Sequence, residues 1–241
     1  MRVRVGFRWC ALAAFLVVYL AVLAACGGTT TQQSGDDGSS ASTTTAGETA
    51  TTTSASAAPS EGGTRLTVVP DSSEARYRVQ EQLVGRDLPN DAVGTTNDVT
   101  GEIVLGPNSR VVPEESRITV GMASLQSDSE RRDGYVRGNT LETDRFPNAE
   151  FIPREAPGLP SPLPTSGEEQ FQLIGDLTVH GVTRPVTWEV TAQFGEEEVT
   201  AAASTVVRIT DFDMTPPRVG PVLSIEDEAR LEINLLLRRE S

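Results

Sequence analysis

From Thr64 onward apolar residues recur at every second position, and this alternation restricts the chain to β-strands that are dry on one face and wet on the other. In "SEARYRVQ" the residues Ala75, Tyr77 and Val79 alternate with Glu74, Arg76 and Arg78. The same period sets Val99, Ile103 and Leu105 on one face, then Ile118, Val120 and Met122, then Ala149 and Phe151. It continues through Phe171, Leu173, Leu177 and Val179, and through Val186, Trp188, Val190, Ala192 and Phe194. Val199 to Ile209 and Ala229 to Leu237 complete eight predicted strands. Several are longer than the usual strand, and a long up-and-down ladder removes its exposed edges by closing on itself. The predicted fold is therefore all-β, an eight-stranded antiparallel up-and-down barrel with one short helix. That helix is expected in "SDSERRDGYVRGNTL", capped by Ser127 or Asp128 over one end of the barrel. A barrel of this size either fills its interior with side chains or holds one small ligand, and both remain open at this point.

The residues before Thr64 differ in kind. Arg2, Arg4 and Arg8 precede the apolar run "ALAAFLVVYLAVL", and "LAAC" ends at Cys26, which resembles the lipobox of bacterial lipoproteins. That resemblance implies a signal peptide over residues 1–25, cleaved before Cys26, whose thiol then carries diacylglycerol. An uncleaved membrane anchor is the alternative, because the apolar run approaches bilayer length. Either way the domain is expected outside the cytoplasm, tethered to the cell membrane through its N-terminus. Residues 26–63 supply the lipidated cysteine and then Thr, Ser, Gly and Ala with a few acids, too little apolar surface to offset the entropy of ordering. They read as a disordered tether spanning roughly 35 Å as a flexible coil. Residues 64–241 form the folded domain.

Charge and rare residues narrow the function. A net charge of -14, with 34 acidic residues against 20 arginines, repels phosphate backbones and excludes nucleic acid as a partner. The only cysteines are Cys10 and Cys26, so the domain has no thiol for a disulfide, catalysis or a metal. His180 is the single histidine. It lies in "GDLTVHGVTRPVTWEV", where Gly181 and Pro185 separate two alternating runs, and this places it at a hairpin turn. Without a second His or a Cys it cannot assemble a zinc site, and no G-x-S-x-G elbow supplies a nucleophile for it to activate. No metal and no enzyme cofactor is expected. The "EEE" at 196–198 reads as a solvated hairpin tip.

The hairpin "GDLTVHGVTRPVTWEV" also resembles that of the YceI-like family, and the likeness extends on both sides. Upstream, "SDSERRDGYVRGNTLETDRFPNAEF" is similar to the family's Arg-Asp pair, second Arg and D-x-[FY]-P-x-x-x-F run, here Arg132, Asp133, Arg137, Asp144, Phe146, Pro147 and Phe151. Downstream, "ITDFDMTPPRVGPVLSIEDEARLEINLLL" resembles the family's closing loop and last strand. The resemblance covers about residues 65 to 238. It implies a lipocalin-like barrel whose apolar tunnel holds a polyisoprenoid or similar lipid, for transport or storage in the cell envelope. Ala229, the Pro-rich loop "TPPRVGP" and the insertion "REAPGLPSPLPTSGEEQ" depart from the family pattern.

On this reading the tunnel face comprises Tyr77, Val79, Val99, Ile103, Ile118, Val120 and Met122 from the first half. Phe151, Leu173, Leu177, Val179, Val186, Trp188, Val190, Val207, Leu231 and Ile233 complete it. An aliphatic lining suits an isoprenoid chain, because it offers dispersion contacts without stacking platforms. Arg131, Arg132 and Arg137 are candidate contacts for a lipid head group, with a solvated helix face as the alternative. A packed core without a tunnel, serving a stress-response or interaction protein that uses the barrel as scaffold, is the second functional class. Pairing of two barrels as a homodimer is left open by the sequence.

Overall fold

A computed structural model describes residues 63–85, 88–216 and 222–240. The signal segment, Cys26 and almost all of the tether lie outside the described residues. The strands are β1 (Thr64–Val68), β2 (Glu74–Leu83), β3 (Asn90–Thr96), β4 (Val99–Leu105) and β5 (Arg117–Gly121). After helix α1 (Glu130–Tyr135) come β6 (Asn148–Glu155), β7 (Gly167–Val179), β8 (Val182–Phe194), β9 (Glu198–Arg208) and β10 (Val222–Glu240).

Every pairing is antiparallel, and β10 closes the sheet onto β1. On that side of β10, β2 follows β1 in line, while β3 and β4 lie in line along the next position. The ten strands among the described residues thus make eight staves, and the fold is a closed eight-stranded antiparallel barrel with one short helix. β1 and β3 lie outside the segments that alternation identifies; they extend the staves of β2 and β4.

Each break has a local cause. Pro70 has no N–H to give the ladder, and Asp71 turns through φ 62°. Ser73 repairs the gap: its hydroxyl accepts from Leu236 N at 3.1 Å and donates to the Val69 carbonyl at 3.2 Å. Between β3 and β4, Thr96 Oγ1 accepts from Asp98 N at 3.0 Å, and Gly121 N donates to the Asp98 carbonyl at 2.8 Å. Beyond this point β3 leaves β5 and is linked to that side through a bridge between Thr95 and Gln126.

The segment 122–147 covers the opening. Ser129 caps α1 by accepting from Arg132 N, one position beyond the expected caps. Ser127 instead donates from its N–H (3.0 Å) and hydroxyl (2.5 Å) to the carboxylate of buried Asp133. The helix continues as a wider turn over Val136–Thr140. Arg132 fastens it to the barrel by an ion pair with buried Glu81 at 2.8 Å, and Arg137 Nη1 donates to the Leu125 carbonyl at 2.8 Å.

The β7–β8 hairpin turns in two residues, His180 at φ 52° and Gly181 at φ 76°, the left-handed pair that matches strand twist in a tight hairpin. Strand parity follows the alternation: Trp188, Val190, Ala192 and Phe194 are buried while Thr187, Glu189 and Gln193 are exposed. The core runs the length of the barrel interior, from Leu66 and Leu237 at one end to Val136 and Phe212 at the other.

Candidate functional site: the barrel cavity

The inward side chains do not fill the barrel. They enclose a cavity of about 250 Å³. Cavities of roughly 150 Å³ lined by aliphatic and aromatic side chains stay dry and take up apolar guests. Tyr77 and Val79 of β2 line this one, with Ile103, Ile118, Val120 and Met122 from the β4–β5 side. Phe151, Leu173, Leu177 and Val179 contribute from β6 and β7, and Trp188 and Val190 from β8. Val207, Leu231 and Ile233 of β9 and β10 complete the expected set. The edge of Trp188 meets the ring of Phe151, with centroids 5.9 Å apart.

Two expected residues do not reach the cavity. Val99 is fully buried at the start of β4, where it packs in the wall beside the Asp98 kink. Val186 has the correct parity but is only half-buried. The Phe151 ring stands over Gly175, the residue paired with Val186, so closely that a Cβ there would lie 2.7 Å from it. The ring thus takes the space that Val186 would face.

Two of the three candidate head-group arginines are engaged within the cap. Arg131 is exposed, Arg132 is held by Glu81 and Asp128, and Arg137 is spent on a backbone carbonyl. Arg132 and Arg137 brace the helical cap rather than present guanidinium groups at a mouth.

Other lining residues carry no period-two signal. Val136, Thr140 and Leu141 close the cap end, joined by Phe212 and Met214 from the segment after β9. Leu159 and Leu163, from the insertion after β6, fold back as part of the lining. Burial pushes the Tyr77 phenol up to about 12.

His180 stays with the turn. Its Nδ1 lies 3.3 Å from the Phe212 carbonyl, its Nε2 lies 3.5 Å from Glu142, and its ring meets Phe146 edge-on. The Glu142 carboxyl is held below its ordinary value by Arg145 first, with His180 adding to the effect. These contacts join the hairpin to the cap.

Fold and cavity define a class of protein: closed antiparallel barrels that enclose an apolar chamber. The chain belongs to the YceI-like family, whose YceI-like domain matches residues 66–237. It is 32% identical over 114 residues to a UPF0312 protein of Pseudomonas putida strain GB-1, covering 44% of this chain and 56% of that relative. With a UPF0312 protein of Pseudomonas fluorescens strain SBW25 it shares 33% over 118 residues, 45% of this chain and 57% of the relative. The chain thus spans just over half the length of these curated relatives. Among solved structures it resembles a polyisoprenoid binding domain from Saccharophagus degradans implicated in plant cell wall breakdown. The TM-score is 0.58 at 10% identity, over 73% of this chain and 98% of that one. BcnA of Burkholderia cenocepacia gives 0.51 at 17% identity, over 70% and 98%. At these identities the likeness shows the fold.

Proposed function

We propose that this protein binds a long-chain lipid, a polyisoprenoid or similar amphiphile, inside the barrel, and does so as an extracytoplasmic lipoprotein tethered through Cys26. The observation that carries the reading is the aliphatic cavity. An empty chamber of this kind forfeits dispersion contacts along its whole wall, and a flexible apolar chain restores them. The likeness to the polyisoprenoid binding domain from Saccharophagus degradans supports the same ligand class. A binding role rather than catalysis fits a lining of aliphatic side chains and a lone histidine engaged at a turn.

Organic extraction of the purified full chain followed by mass spectrometry tests the proposal. A lipid recovered near one per protein is expected. An empty barrel after expression in a lipid-rich host would favour the barrel as a bare scaffold for interactions. For the anchor, Cys26→Ser removes the thiol that diacylglycerol would occupy, so palmitate labelling should disappear. Labelling at full strength would end the lipoprotein reading.

A further inference from the structure

Besides the Tyr77 hydroxyl, the lining carries two fully buried polar side-chain atoms with no protein partner among the described residues. Trp188, at the midpoint of β8, buries its indole Nε1; Thr140, beneath the helical cap, buries its hydroxyl. Both residues line the cavity, and they are only 8% and 7% exposed. A buried donor left unpaired carries the full penalty of its lost hydration, and buried tryptophans ordinarily place their N–H against an acceptor.

Charge points the opposite way. The charged residues that touch the lining belong to the outward parity of their strands and are engaged there: Arg76 with Glu74 and Glu232, Glu150 with Arg117. Arg132 and Arg137 are tied into the cap. Arg239 has inward parity at the far end of β10 and leaves its Nε unpaired, but it lies outside the lining, at the end away from Trp188 and Thr140, and its Nη2 donates to the Pro164 carbonyl. A phosphate drawn into the space beside Trp188 and Thr140 would lose its hydration with no unpaired cation among the described lining residues to replace it.

We infer that Trp188 and Thr140 are the polar anchors of a ligand site within the barrel, and that its ligand is a neutral long-chain lipid bearing a hydrogen-bond-accepting oxygen of a carbonyl, ester or amide. This rests on the lipid reading above and narrows it. The indole N–H can only donate, so it demands an acceptor; the Thr140 hydroxyl serves either way. Since Trp188 stands at mid-strand and Thr140 under the cap, the oxygen lies in the cap half of the cavity. The tail then runs toward Leu66, Phe194 and Leu237 at the insertion end.

Trp188 is the only tryptophan of residues 26–241, so the chain from Cys26 onward carries it as the sole reporter. Three isoprenoid probes of matched length separate the alternatives: geranylgeranyl acetate, the hydrocarbon phytane and geranylgeranyl pyrophosphate. The acetate should bind about tenfold tighter than phytane, equivalent to about 1.4 kcal/mol, and tighter than the pyrophosphate. It should also shift the resonance Raman band that reports indole N–H bonding. In equilibrium dialysis with radiolabelled probes, Trp188→Phe should reduce acetate affinity toward that of phytane and leave phytane binding unchanged. Thr140→Val gives the same readout should Trp188→Phe fail to fold. Equal affinity for acetate and phytane would overturn the polar anchors while leaving lipid binding intact. Tighter pyrophosphate binding would overturn the neutral ligand in favour of a cationic site, with Arg239 its first candidate. Binding of none of the three would remove the lipid function and this inference together.

Discussion

The two walls of the barrel are built differently. On one, β7 and β8 pair through 13 residues each with no shift of register, and β9 and β10 continue the same ladder. On the other, β1 and β2 are parted at Pro70, β3 and β4 at Asn97 and Asp98, and β10 shifts register against β2. Alternation suffices to build the first wall, because β7 with β8 and β9 with β10 pair without a shift along their registered lengths. The second is held by side chains standing in for backbone: the Ser73 hydroxyl for a missing acceptor, and Thr96 Oγ1 for another. β3 does not pair with β5 and meets the cap segment instead, through the Thr95–Gln126 bridge. Irregular pairing therefore supplies the end of the cavity, while regular pairing supplies its side.

This contrast can be broken most directly at the cap. Arg132→Met leaves Glu81, 2% exposed, facing only Asn90 at 3.3 Å. Loss of one partner from a buried pair costs roughly 3–5 kcal/mol, to be read from urea unfolding at neutral pH. A cost near zero would mean that the cap is not anchored through this pair.

Alkaline pH probes the same wall more gently. The Tyr77 phenol ionises at about 12 in the folded protein against 10.0 ordinarily. Its contribution is fully present below about pH 10 and is lost as pH rises through 12, roughly 2–3 kcal/mol in all. Tyr77→Phe should flatten that part of the melting-temperature profile between pH 10 and 12.

The smallest effect sharpens the comparison. Ser73→Ala strands the Leu236 N–H in the wall and should cost about 1–3 kcal/mol. Glu189→Gln on the exposed face of β8 should change stability by less than about 0.5 kcal/mol. Equal losses from the two in chemical denaturation would erase the distinction between side-chain-held and ladder-held walls.

The same division explains what could be read from the sequence. Period two identified all eight staves and the inward parity of β8, since burial on one face writes itself into alternate positions. It passed over β1 and β3: "TRLTV" and "NDAVGTT" are short and sit beside Pro70 and the polar Asn97–Asp98 step, where tertiary hydrogen bonds decide the path. The hairpin turn was legible because only a few residues tolerate two successive left-handed conformations, and His180–Gly181 is such a pair. Val186 shows the limit of parity, which says which way a side chain points but not that the Phe151 ring reaches the space first. Arg132 and Arg137 show another: their charge was visible, but Glu81 and the Leu125 carbonyl are distant in sequence. Trp188 was placed on the inward face, but neither its unpaired indole N–H nor Thr140 could be singled out, because an unpaired polar atom is a property of the packed interior.

One end of the cavity is made by a loop. Leu159 and Leu163 are held against the barrel by Gln172 N on the Pro157 carbonyl at 3.0 Å and by Arg239 on the Pro164 carbonyl. Neither leucine takes part in the strand ladder. The depth of the cavity is therefore adjustable separately from folding. A shorter or bulkier segment between β6 and β7 resets the floor while every strand pairing, and the register that sets the inward face, stays as it is.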